Sequence, residues 1–112
     1  MPWGASEHLP RRNLLRYTRQ VIKNFRHKGL ERLFRDDDRS GVSAKDAPRL
    51  FRQLDRLDAA TQPEDMGLPG WALHQLKGDR KGFWSVKVSA NWRLTFRFED
   101  GDACDVTLED YH

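Results

Sequence analysis

Three stretches of the 112-residue sequence hold side chains suited to moving protons and steadying negative charge. His74 precedes Lys77 by three positions in "LHQLKGDRKG", Arg93 follows in "NWRLTF", and "EDYH" spans Glu109 to His112. Two imidazoles with cationic neighbours suit cleavage of an RNA phosphodiester. A base takes the 2′-OH proton, an acid protonates the leaving 5′-oxygen, and Lys or Arg stabilises charge at phosphorus. Histidine serves either proton step because its unperturbed pKa lies near neutrality. Asp110 would orient an imidazole or hold it protonated, and Tyr111 would stack on a base or hydrogen-bond the phosphate. Plainer readings stand beside these. An isolated histidine in a strand is more often a surface residue than a catalyst. Lys77-Gly78-Asp79-Arg80 reads equally well as a charged hairpin turn, since a single glycine makes a weak phosphate loop. On chemistry alone, a nuclease is one of several possibilities.

Charge distribution says more than its total. Residues 1–20 carry Arg11, Arg12, Arg16 and Arg19 against Glu7, which accounts for the whole net charge of +3. Residues 21–112 balance sixteen basic against sixteen acidic side chains, so overall charge is poor evidence for nucleic-acid binding. Trp71 to Arg97 holds six basic residues against Asp79 alone, and from Phe98 onward there are six acids and no Lys or Arg. That pattern predicts either a phosphate-binding face or paired strands exchanging salt bridges; base rates favour the second. One cysteine, Cys104, forms no internal disulfide, which points to a reducing compartment. His8, His27, His74 and His112 lie far apart without a C-x-x-C pair, so no metal site is expected. No apolar run approaches the length of a membrane helix.

The elements that must carry these residues follow from periodicity. Residues 1–20 lack a sustained apolar period and are expected to be an appended arm, either disordered or helical from Asn13 to Arg19, or a start-site artefact; 21–112 form the domain. Val21–Phe25 reads as a first strand. Leu30, Leu33 and Phe34 mark a short helix after Gly29, ended by "DDDRSG". Ala47, Leu50, Phe51, Leu54 and Leu57 mark a second helix, with Asp46 as N-cap so that Pro48 falls at a tolerated second position. Thr61–Gly70 is a loop by composition. Beyond Trp71 the period becomes two, in an antiparallel meander whose turns are "ANW" and "DGD". Trp84, Trp92 and Cys104 fall in the apolar phase and are expected in the core, while Lys87, Arg93 and Arg97 mark an open polar face. Trp71 is undecided.

"NFRHKGLERLF" (24–34), "EDMGLPGWALHQLKGDRKGFWSVKVSANWRLTFRFEDGDA" (64–103) and "EDYH" together resemble HigB-type toxins of the RelE/ParE superfamily. The resemblance implies an α+β domain, two helices packed on an antiparallel sheet of about four to five strands. It implies a cytoplasmic mRNA interferase that cuts messages on the translating ribosome without a metal or cofactor. Its implied partners are a HigA-like helix-turn-helix antitoxin, the ribosome and mRNA, with operator DNA reached only through the antitoxin and no membrane. Carried over by position, His74, Asp110, Tyr111 and His112 would be catalytic, and Lys77, Arg80 and Arg93 would contact RNA phosphate. The chain would end at His112 because that end is the site. Two departures carry expectations of their own. Gln75 stands where proline is common, which loosens the local backbone, and Asp105 in the last strand weakens that edge. Alternatives on the same fold are a non-enzymatic ParE-like topoisomerase poison and an inactive antitoxin-binding module.

Overall fold

The computed structural model describes residues 22–110; the expectations for residues 1–20, Tyr111 and His112 lie outside them. Helix α1 (Lys28–Asp36) begins where the His27 ring accepts a hydrogen bond at Nδ1 from the Leu30 amide, 3.1 Å. That satisfies one of the amides a helix start leaves unpaired. Leu30, Leu33 and Phe34 face inward as their spacing requires. Asp37 ends the helix in a left-handed conformation, φ 56°, and the Asp38 amide reaches back to the Arg32 carbonyl, 3.1 Å. Helix α2 (Ala47–Ala59) starts after Asp46 with Pro48 at its tolerated position, although the Asp46 side chain caps nothing. Instead the amides of Asp46 and Ala47 both donate to the Ser43 carbonyl, 3.0 Å each.

Gly29 marks the closest approach between α1 and the turn before α2. A β-carbon there would stand 2.3 Å from the Gly41 carbonyl oxygen and 2.8 Å from its carbon, both backbone atoms that cannot swing aside. Helix propensity favours alanine over glycine by about 1 kcal/mol. Overpacking against rigid backbone costs about 1–3 kcal/mol, occasionally more, so the clash wins. Gly29→Ala is therefore expected to lower the melting temperature by several degrees. A rise on thermal melting would show that this backbone approach is not enforced.

Four strands, β1 (His74–Gln75), β2 (Phe83–Ser89), β3 (Trp92–Glu99) and β4 (Asp102–Asp110), form one antiparallel sheet in sequence order. Asp100 and Gly101 both take positive φ, 55° and 82°, as the two-residue turn between β3 and β4 demands. Val86, Val88, Leu94, Phe96, Ala103 and Val106 join Leu30, Leu33, Leu50, Leu54 and Leu57 from the helices in one core. Trp71 belongs to it as well. The Arg49 guanidinium and Gln53 Nε2 donate to the Lys87 carbonyl, tying α2 to the end of β2.

Several expectations need correction. Val21–Phe25 is not a full strand: among described residues, Ile22 and Phe25 make isolated parallel bridges to Ala103 and Val106. The reason is a bulge in β4, where the pairing register shifts between Thr95 and Arg97 and Asp105 adopts φ 52°. Asn24 fits that bulge, its Oδ1 accepting from the Asp105 amide and its Nδ2 donating to the Asp105 carboxylate. Asp105 also takes the Arg97 Nε–H at 2.7 Å, so it anchors the edge it was expected to weaken. Arg97 is accordingly not an unengaged cation of an open face. The same bulge puts Cys104 opposite Arg97 while Ala103 and Val106 enter the core. Cys104 is buried as expected, and burial pushes its thiol up, which keeps it inert. Trp92 is 40% exposed rather than core, because a register shift between Lys87 and Ser89 breaks the alternation. Inside the expected loop, Pro63–Met66 forms a 3₁₀ turn, fastened by the Asp65 carboxylate accepting from the Thr61 and Gln62 amides. No described helix is long and apolar enough to cross a membrane.

Candidate active site

His74 is set by the ladder between β1 and β2, paired with Ser85, while Gln75 pairs with Trp84 and the Leu76 amide donates to the Phe83 carbonyl at 2.9 Å. Gln75 thus continues the ladder. Ser85 pairs in turn with Thr95, and Thr95 with Thr107, which makes one row across all four strands. Directly opposed residues share a face, so His74 stands over the side of the sheet away from the core residues Val86, Leu94 and Phe96. Its own side chain is exposed. Ser85 and Thr95 beneath are almost fully buried, at 3% and 2%.

Two adjoining hollows share His74 as their common wall. One, about 310 Å³, is lined by His74, Leu76, Lys77, Arg80, Thr95 and Glu109. The other, about 330 Å³, is lined by Ala72, Leu73, His74, Ser85 and Arg93. The cationic positions expected near His74 are therefore there, but they differ in engagement. Lys77 makes no ion pair with any described residue and is exposed. Arg93 donates to the Ala90 and Trp92 carbonyls at 2.9 and 3.1 Å, which turns its guanidinium toward the β2–β3 turn. Arg80 grips Glu109 through two parallel bonds of 3.1 and 2.5 Å. It also lies over the Phe83 ring, 5.2 Å from the centroid.

Asp110 closes β4 opposite Trp92 and lines neither hollow. β1 and β4 are opposite ends of the four-strand order, so His74 and Asp110 stand on strands separated by β2 and β3. Neighbouring strands lie about 4.8 Å apart, which sets the scale of that separation.

Glu109 and Thr95 were not among the residues singled out from the sequence. Thr95 Oγ1 donates to Glu109 Oε2 at 3.0 Å, beneath the Arg80 pair. Strand alternation offered the signal, since Glu109 falls in phase with Thr107 and opposite Arg93. The Arg80 hydrogen bonds hold the Glu109 carboxyl below its ordinary value near 4.5; burial opposes this, and the Thr95 hydroxyl adds to it. A depressed carboxyl contributes stability above its unfolded pKa and loses it as pH falls through the folded one. Acidifying below about pH 4.5 is thus expected to lower the melting temperature of the native protein more than that of Glu109→Gln. Asp105 and Asp65, also depressed, keep part of the acid sensitivity in both. Identical acid dependence in the two proteins would contradict the pairing.

The family model for the "RelE-like toxin of type II toxin-antitoxin system HigB" matches residues 23–112. The chain is 48% identical over 92 residues to Endoribonuclease HigB of Proteus vulgaris, covering 82% of this chain and 100% of that protein. It is 36% identical over 87 residues to Toxin HigB-1 of Vibrio cholerae serotype O1, covering 76% of this chain and 92% of that protein. The α+β arrangement of two helices on a four-stranded antiparallel sheet agrees with that kinship. The chain belongs to the RelE-like HigB toxins of type II toxin–antitoxin systems.

Proposed function

We propose that this toxin cleaves messenger RNA on the translating ribosome, with His74 and the Asp110-Tyr111-His112 segment supplying the proton-transfer groups. That it is an endoribonuclease rests on its 48% identity to Endoribonuclease HigB across the whole of that protein. The observation that supports the site is the exposed His74 at the junction of two hollows, with Lys77 and Arg93 beside it. In this reading an imidazole base takes the 2′-OH proton and its oxygen attacks phosphorus. A second acid protonates the departing 5′-oxygen, and Lys77 with Arg93 stabilises the charge that builds between. Cleavage leaves a cyclic phosphate and needs no metal or cofactor. The antitoxin that its family implies is a HigA-like helix-turn-helix protein, which alone connects the toxin to operator DNA. The toxin works in the cytoplasm. Residues 1–20 are an arm outside the domain of 21–112.

Ribosome dependence follows from charge. Residues 21–112 are formally balanced, so attraction to bare RNA, which grows with the number of phosphates neutralised, is weak. The ribosome supplies the positioning that free RNA lacks. Cleavage is expected on programmed ribosomes and very little on naked mRNA, mapped as new 5′ ends. A chain starting with Met in place of Val21 should behave alike, since it retains Ile22 and its buried bond to Asp58. Equal cutting of both substrates would overturn the ribosome requirement. DNA damage without cuts would favour a topoisomerase poison. An inert chain lacking residues 1–20 would make the arm part of the domain.

A further inference from the structure

Arg80 is spoken for. It leaves the 3₁₀ turn Gly78–Arg80 between β1 and β2, passes over Phe83, and ends on Glu109 of β4. Arginine uses the same two-pronged geometry for a carboxylate as for a phosphate, so one guanidinium edge cannot serve both at once. Glu109 is also held from below by the buried Thr95 hydroxyl, while the Arg80 guanidinium rests over Phe83, so each end of the contact has a second hold. The bond spans two intervening strands. It connects the loop that follows His74 to the residue immediately before Asp110.

We propose that Arg80 and Glu109 form a positioning strut, which sets the distance between the His74 side of the cleft and the end of β4 that leads into Asp110. Glu109 is then a positioning residue for catalysis, and Arg80 is its partner rather than a contact to RNA phosphate. The phosphate charge falls to Lys77 and Arg93. The strut fits a recurring need of proton-transfer catalysis: a displacement of about 1 Å in a reacting group can cost 10²-fold in rate. Arg80 lowers the Glu109 carboxyl, and the pair persists at neutral pH. The proposal rests on the nuclease reading, because positioning matters only if the two sides act on one substrate.

The test uses four variants of the full chain: Glu109→Gln, Arg80→Gln, Arg80→Lys and the double Arg80→Gln/Glu109→Gln. Rate and half-saturation are measured separately on programmed ribosomes. The strut predicts that Glu109→Gln and Arg80→Gln each lower kcat by roughly 10–10²-fold with KM little changed. The double variant should be no worse than either single, because the two side chains act as a unit. Arg80→Lys should fall between, since lysine keeps the charge but not the fork. A phosphate-contacting Arg80 predicts the reverse. Glu109→Gln would then free the guanidinium and leave activity equal or higher, and Arg80→Gln would act mainly through KM. That result overturns the proposal.

Hydrogen exchange at the Leu108, Glu109 and Asp110 amides is read in the same proteins, with Val86 as the internal reference. Exchange at the β4 end should quicken by about tenfold in Glu109→Gln while Val86 hardly changes, the mark of a local opening. Unchanged exchange there overturns the strut whatever the kinetics. If the native protein cleaves nothing, the nuclease reading fails, and exchange alone decides whether the pair holds the strand end.

Discussion

Replacing His74 with alanine is expected to slow cleavage of ribosome-bound message by roughly 10²–10⁴-fold, the usual contribution of a general acid or base. The melting temperature should scarcely move. His74 is exposed at the edge of the sheet and adds little to the core, so its removal leaves no cavity. Deleting His112 is the companion change, and if that residue performs the other proton transfer the loss should be of the same order. The two losses should not multiply, because groups that act in one step fail together. A His74→Ala protein that cleaves at the native rate would remove His74 from the reaction. If His74→Ala is inactive and the chain lacking His112 is fully active, the second proton-transfer group lies elsewhere in the cleft.

Phe96→Ala should do the opposite, costing much of the fold's stability while leaving the reacting groups untouched. Phe96 is among the largest fully buried side chains, lies in the middle of β3, and meets Phe98 edge to face at 6.0 Å. Truncating a buried phenylalanine costs about 3–5 kcal/mol, the transfer of its ring plus the cavity left behind. A domain of this size has only about 5–15 kcal/mol of stability in total, so a sizeable fraction of that reserve goes. Denaturant melts should show the loss at the midpoint with an unchanged slope. A loss under about 1 kcal/mol would mean that the neighbouring Leu94, Val86 and Val106 collapse into the space.

His74→Ala and Phe96→Ala together separate chemistry from scaffold. The first keeps the fold and loses the reaction, while the second weakens the fold and keeps the reacting groups. Arg80 and Glu109 fall between, on the outer face of the sheet but joined across it. Surface ion pairs contribute little to stability in general, so any large effect of this pair belongs to positioning.

Much of this protein was legible in its sequence, because local rules set local structure. The 3.6-residue spacing of Leu30, Leu33 and Phe34 and of Leu50, Leu54 and Leu57 placed both helices. Two-residue alternation placed β2 to β4 and their turns, and the motif strings placed the family. His74, Lys77 and Arg93 as neighbours also followed from those strings. Tertiary structure alone decided what depends on register across strands. A bulge of one residue at Asp105 set Cys104 opposite Arg97, used up Arg97, and reduced the expected first strand to two bridges. Trp92 became exposed through a similar slip near Lys87. Arg80 met Glu109 across 29 positions, a pairing that no periodicity encodes. Alternation along a strand tells which residues share a face; only the pairing of strands tells which of those residues meet, and one inserted residue changes the answer for every position beyond it.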